Sequence, residues 1–388
     1  MQEDFHYYAT YCAALLAGWS HGESLDIAYS AQFVDLCSLT LLKKLGGPAA
    51  AATTQLQLEM MDLNTDPIGL HMITRIWASF HFLPYDLGAE KKKCSRRYLQ
   101  KYRLICRPNG ALLAETVRLA KGKGTEAAGI AMHELADTWA HQYFAGTPSL
   151  VINNTDRCFD EIVEEDGTFS LRPVTFRHAP GKPDDLEKGI YTNTLRQLDE
   201  NSVMNLGHGR AGHLPDYSFM RYRYQPAWND YEICEKDNPS DYYHAFCQMI
   251  RALKYLRGES DVFETGTYDF DAAEPYRGTI DGILKKRQPD ACADWKAFGE
   301  QLSGETIEPF DIEKYQTAYV DAAPDDRAQT FLGRFFLAAM AQKSMVTNRI
   351  FRSGSLLAGF SVDFKKRGFR GIRDYAALLG DRGKEERP

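Results

Sequence analysis

The chain has no C-x-x-C pair among its eight cysteines, which stand at positions 12, 37, 94, 106, 158, 234, 247 and 292. That absence argues against a thiolate zinc site, and the mostly apolar surroundings mark reduced core thiols rather than a disulfide framework. Also missing is any apolar run of the roughly 18 residues that a membrane span requires. The opening stretch MQEDFHYYATYCAALLAG has two acids and no basic residue ahead of its apolar part. It does not read as a secretory signal, and a cytoplasmic location is expected. Positive charge is not in excess: 46 Lys and Arg face 53 Asp and Glu, a formal net charge of -7. Bulk attraction to nucleic acid or an anionic membrane is therefore not implied, and an anionic substrate would have to be held locally, by metal or by a basic patch. There is no internal repeat.

What is present fits a globular protein: 388 residues, 44% hydrophobic and 26% charged. Apolar periodicity and Gly or Pro stops predict helices over 5–18, 23–45, 109–121 and 241–256, with four more between 279 and 346. Alternating Leu56, Leu58 and Met60 predict a short strand within 53–61. The run EIVEEDGTFSLRPVTF predicts a β-hairpin turning at Asp166-Gly167. The expected fold is mainly α, a multi-helix bundle with a small β-hairpin insertion near 150–183. Residues 1–258 are expected to form a metal-binding helical domain and 259–388 a C-terminal helical extension packed on it. Lys91 to Arg107 is the one basic block, read as a solvated helix face with a phosphate-positioning patch as the alternative.

The chemistry concentrates in GTEAAGIAMHELADTWAHQYFAGTP, predicted as one helix from Gly124 to Pro148. His133, Asp137 and His141 stand at four-residue spacing, so successive side chains differ by only about 40° around the helix and form one stripe. His133 and His141 lie roughly 12 Å apart along the axis, too far to share one ion. Asp137 between them is placed to bridge two. Asp35 falls in or beside the packed face of the second helix, and His81 is flanked by phenylalanines just before Pro84. A second dense group is Leu206-Gly-His208-Gly-Arg210-Ala-Gly-His213-Leu-Pro-Asp216. With His6, the nine candidates His6, Asp35, His81, His133, Asp137, His141, His208, His213 and Asp216 offer only nitrogen and carboxylate oxygen. Such a set suits zinc, with iron or manganese also possible, and its size fits two or three ions.

In that ligand order the chain resembles the zinc-dependent phospholipase C and single-strand-specific nuclease superfamily, which is all-α and holds three metal ions. The resemblance implies that His6 is the early His, Asp35 the Asp of the second helix, and His81 the next His. It also implies that His133 and Asp137 form the His-x-x-x-Asp helix with the bridging Asp, that His141 follows, and that His213 pairs with a carboxylate, Asp216. Those enzymes are secreted and use the amino group of an N-terminal Trp, where this chain begins with Met1 and offers Asp4 or His6. The motifs FHYYATY, FHFLP, HELADTWAH and GHGRAGHLPD also resemble an uncharacterised bacterial family of similar length. The implied activity is metal-assisted hydrolysis of a phosphoester, most simply a phosphodiester, with Asp137 at the catalytic centre and Arg210 contacting phosphate. An HD-type phosphohydrolase is disfavoured because no adjacent His-Asp pair occurs. The alternative is a non-catalytic metal-binding or protein-interaction protein.

Overall fold

The computed structural model describes residues 1–56, 58–60, 67–155, 158–165, 167–177, 181–193 and 206–355. The chain opens with a wide π-type turn, Asp4–Ala9, that runs into α1 (Thr10–Leu16), followed by α2 (His21–Phe33) and α3 (Leu39–Leu45). Next come α4 (Pro67–Phe80), α5 (Arg96–Tyr102), α6 (Ala111–Ala120), α7 (Gly124–Ala140) and the single turn α8 (Leu150–Asn153). Strands β1 (Asp160–Glu165), β2 (Thr168–Pro173), β3 (Thr175–Arg177) and β4 (Ile190–Thr192) precede α9 (Gly207–Ala211). Then follow β5 (Arg221–Tyr224), β6 (Cys234–Asp237), α10 (Asn238–Arg257), α11 (Phe270–Ala273), α12 (Arg277–Lys285), α13 (Cys292–Ser303), α14 (Gln316–Asp321) and α15 (Phe331–Arg352). Among the described residues no helix is long and apolar enough to cross a membrane.

The expectation of a mainly α bundle is corrected: the fold is mixed, 53% helical with 10% strand. The expected hairpin is there, with Glu165 opposite Thr168, but it is half of a four-stranded antiparallel sheet in the order β2-β1-β5-β6. A second, parallel pair joins β3 to β4. The added strands come from Arg221-Tyr-Arg-Tyr224, a period-2 pattern that buries Tyr222 and Tyr224 and turns the arginines outward. The strand expected in 53–61 does not form among the described residues; Leu56 and Leu58 are exposed there. The helix expected over 23–45 is two helices. It breaks after Phe33, and Ser38 starts α3 by accepting a hydrogen bond from the Leu41 amide.

Helix α7 lies at the centre, packed by α2, α4, α6, α10 and α15, and every residue from Glu126 to Ala140 is buried. Its small residues make this possible. A Cβ on Gly129 would lie 2.3 Å from the Ile27 carbonyl oxygen and 2.4 Å from Ser30 Cβ, so α2 and α7 touch through the bare glycine. Gly129→Ala should therefore force the helices apart and cost about 1–3 kcal/mol. Urea unfolding of the variant checks this, and an unchanged midpoint would refute the close approach. A separate cluster of Phe82, Phe144, Phe159, Tyr222 and Tyr224 lies beneath the sheet. The helical core extends from Phe5 through Phe246 and Trp295 to Ile350, so residues of the C-terminal third pack in it alongside the N-terminal helices.

Candidate metal centre

The groups that converge on Asp137 come from five separate places. Helix α7 presents His133 and Asp137, and His141 is the residue at its C-terminal cap. The helix thus ends at Ala140, well before the Gly146 and Pro148 expected to stop it. His141 leaves the helical path, and Ile105 pairs with Ala145 in an isolated bridge. His6 comes from the opening π-type turn, Asp35 from the break after α2, His81 from one residue beyond α4, and Asp216 from the turn after α9. His6 Nε2 is 3.2 Å from Asp137 Oδ1, while His133 Nε2 and His81 Nδ1 are 3.1 and 3.3 Å from Oδ2. Asp35 Oδ1 is 3.7 Å from His81 Nδ1 and 3.9 Å from His133 Nε2. On the other side of Asp137, the Met1 amine is 2.8 Å from Oδ1, 3.3 Å from Asp216 Oδ1 and 3.5 Å from His141 Nε2. This amine was not among the nine candidates. Asp4, the alternative, points away and accepts from the Phe5 and Ala291 amides.

Backbone carbonyls set the ring tautomers. His133 Nδ1 donates to Ala31 O at 2.9 Å, His81 Nε2 to Thr53 O at 3.0 Å and His141 Nδ1 to His81 O at 2.6 Å. A carbonyl can only accept, so each ring carries its proton outward and turns a lone pair inward. His133 Nε2 and His81 Nδ1 then face each other at 3.3 Å, acceptor to acceptor, with two carboxylates beside them. His6 stacks on His133 at 3.9 Å between centroids, and both its nitrogens are buried without a hydrogen bond of acceptable geometry. Apart from the Met1 amine and the one N–H of a neutral His6, the cluster is a set of converging acceptors. Such a set of side chains could hold a metal ion.

Electrostatics point the same way. Burial pushes the His6 and His133 imidazoles down to about 4, so protons are poor occupants of their inner lone pairs. Burial works against ionised Asp137, but His141, the Met1 amine, His133 and His6 outweigh it and hold the carboxyl well below its usual range. Burial likewise works against the charged Met1 amine, but Asp137, Asp216 and Asp35 raise it to about 11.

The cluster forms the floor of a cavity of about 730 Å³, to which Asp35, His81, Asp137, His141, His213 and Asp216 contribute. His213 stands at its edge, half exposed, with Nδ1 3.2 Å from Asp216 Oδ2; that hydrogen bond raises its pKa. His208 lies on α9, but its side chain is outside the described residues. Arg210 does not line the cavity. It is buried and donates from Nη2 to Asn154 Oδ1 at 2.5 Å, away from the position expected of a phosphate contact. The Lys or Arg that does line the cavity, among the described residues, is Lys182. A lone lysine in a Pro- and Asp-rich loop carries no sequence signal. The basic block is elsewhere, where Lys91, Lys92 and Lys93 border a separate surface cleft with Tyr98 and Tyr231.

Over residues 1–350 the chain belongs to DUF6765, a family of unknown function. No curated protein and no solved structure matches it.

Proposed function

We propose that the chain is a metal-dependent hydrolase that cleaves phosphoester bonds, with a phosphodiester as the simplest substrate, at a centre holding two or three ions, zinc first among the candidates. The observation that carries this reading is the cluster of inward-facing imidazole lone pairs and carboxylates at the base of a cavity large enough for a small organic phosphate. Two triads, His6 with His133 and Asp137, and Asp35 with His81 and His133, have ligand atoms within 4.8 Å of one another. They share His133, whose single inward nitrogen serves one ion, so they are best read as one position reached by five side chains. His141, Asp216 and Asp137 would hold another, joined by the Met1 amine where the incoming ion displaces its proton. When bound, such ions supply a water acidified toward neutral pH and a Lewis acid for the phosphoryl oxygen.

The chain's own residues do the rest. Asp137 ties the two positions together, and the carbonyls of Ala31, Thr53 and His81 keep the ring lone pairs aimed inward. Lys182 offers the anion a positive charge at the wall. His213, backed by Asp216, keeps its proton to a higher pH than a free imidazole and is placed to give it to the leaving oxygen. Met60, Trp77, Phe82 and Leu206 give the cavity apolar wall that excludes water from the rest of the substrate.

Elemental analysis of the purified chain tests the reading. We expect about two or more transition-metal ions per chain, falling below one in His133→Ala. Less than one ion in the wild type, unaffected by that substitution, would sink it. Hydrolysis of bis-p-nitrophenyl phosphate, single-stranded nucleic acid and phospholipid then separates the substrate types. Bound metal with no turnover of any of them would favour the non-catalytic metal-binding alternative.

A further inference from the structure

Glu161 is a charged residue in the middle of the sheet side of the molecule, and it is almost wholly buried, with its side chain 2% exposed. It sits on β1, opposite Arg172 of β2 and Tyr222 of β5. Three donor contacts converge on it. Arg172 Nη2 reaches Oε2 at 2.6 Å, the Tyr191 hydroxyl reaches Oε2 at 3.0 Å, and Arg287 Nη1 reaches Oε1 at 2.5 Å; Arg287 Nη2 then touches the same tyrosine oxygen at 3.4 Å. A buried carboxylate between two guanidinium groups is costly to assemble and strongly directional once made.

The arginines have further bonds to make. Arg172 Nη2 and Arg287 Nη2 both donate to Leu186 O, at 2.8 and 2.7 Å, and Arg172 Nη1 donates to Glu187 O at 2.7 Å. Arg177 adds a bond to Pro183 O. The segment held in this way, 181–193, supplies Lys182, Pro183, Asp184, Thr192 and Asn193 to the cavity wall, and Pro289, two residues from Arg287, lines it as well. Asp184 is pinned too, accepting from the Thr192 amide and the Tyr217 hydroxyl at 2.7 Å each. Among the described residues no hydrogen bond joins Glu161, Arg172 or Arg287 to the His/Asp cluster. They hold a wall, and the wall carries the cavity's lysine.

We propose that Glu161 is a positioning residue, locking Arg172 and Arg287 onto the carbonyls of Leu186 and Glu187 so that the 181–193 segment holds Lys182 over the cavity, and thereby setting affinity for the substrate's anionic group without taking part in metal loading. The proposal rests on the hydrolase reading for the word substrate; the clamp itself does not. It also gives the C-terminal third a role in the site, through Arg287.

The test uses the full-length, zinc-supplemented chain and two variants, Glu161→Gln and Arg287→Lys. Glu161→Gln keeps the shape but removes the charge that holds both arginines. Arg287→Lys keeps the charge, is half exposed, and loses the second bond to Leu186. Three quantities are read: amide hydrogen exchange over 181–193, bound metal, and the dissociation constant for inorganic phosphate alongside KM and kcat for bis-p-nitrophenyl phosphate. In Glu161→Gln we expect exchange in the segment to rise and phosphate affinity and KM to worsen by about tenfold or more, with metal content unchanged and kcat nearly so. Arg287→Lys should move the same quantities by less. Unchanged exchange in both variants overturns the clamp. Faster exchange with unchanged phosphate affinity overturns its role in the site, and loss of metal in step with affinity would make Glu161 a support of the metal centre instead. A wild type that holds no metal and turns over no ester fails the hydrolase reading alone, since exchange and phosphate binding still decide the clamp.

Discussion

Asp137→Asn is expected to empty both metal positions while the chain stays folded. The Asp137 carboxylate lies within 3.5 Å of the Met1 amine, His6, His81, His133 and His141 alike. Asparagine fills the same volume and can donate to one of the inward-facing imidazole nitrogens, so the packing of α7 against its neighbours is kept. What it removes is the negative charge that offsets two divalent ions. Losing a partner that merely orients a ligand costs roughly 10- to 100-fold in metal affinity, and losing the bridging anion should exceed that range. Metal per chain should fall below one, and hydrolysis should fall with it. Glu134→Gln is the control. Glu134 lies on the same buried helix, but its carboxyl is held by Thr116 and Gln342 on the side facing α6 and α15, and burial pushes its pKa well above normal. That variant should retain its metal. Full metal content in Asp137→Asn would remove the central claim about the cluster.

The contrast between those two carboxylates shows how far the sequence could be read. The i, i+4, i+8 spacing of His133, Asp137 and His141 is a local property, visible without a structure because helix geometry converts spacing into direction. His6, Asp35, His81 and Asp216 stand out by residue type in apolar or glycine-rich surroundings, and the fold brings them to within about 4 Å of the stripe or of one another. Three things were not local. The Met1 amine is a backbone group, and no side-chain pattern announces it. Lys182 and Arg287 reach the cavity wall through contacts across the chain, such as the 126-residue separation between Arg287 and Glu161. Arg210 shows the reverse case: a glycine-rich loop with an arginine suggests an anion site, yet the short helix α9 turns that side chain toward Asn154. The mixed fold was missed for a related reason. Four-residue strands such as Arg221–Tyr224 give only two cycles of alternation, too few to stand out until β1 and β6 pair with them.

The His6 and His133 imidazoles should each withdraw stability from the metal-free chain as pH falls from about 6.5 to 4, against the opposite contribution of the buried Asp4 carboxyl, which burial raises to about 7. His6 and His133 titrate near 4 when folded, against about 6.5 for an unfolded histidine. In that interval the unfolded chain binds protons that the folded chain refuses, so acid favours unfolding. Each ring contributes about 3 kcal/mol over the interval, and the pair together approaches the 5–15 kcal/mol that holds a typical domain together. Asp137 adds a further loss below that interval, because its depressed folded pKa gives stability that is present above the unfolded carboxyl value of 3.8 and lost as pH drops below it. The Met1 amine acts on the opposite side. Its folded pKa of about 11 lies above the ordinary 8.0, so its contribution is complete below 8 and drains away as pH rises toward 11. The terms from the two imidazoles, Asp137 and the Met1 amine together are greatest between about 6.5 and 8, and the difference between the wild type and His133→Ala isolates the imidazole part. Bound metal competes with protons for the same lone pairs and stabilises the folded state by mass action, so the acid limb should move to lower pH when metal is restored. Urea midpoints measured from pH 4 to 10, with and without a chelator, check both limbs. An acid limb that is no steeper in the metal-free wild type than in His133→Ala would mean that His133 accepts a proton in the folded chain, and then its inward lone pair would need no cation.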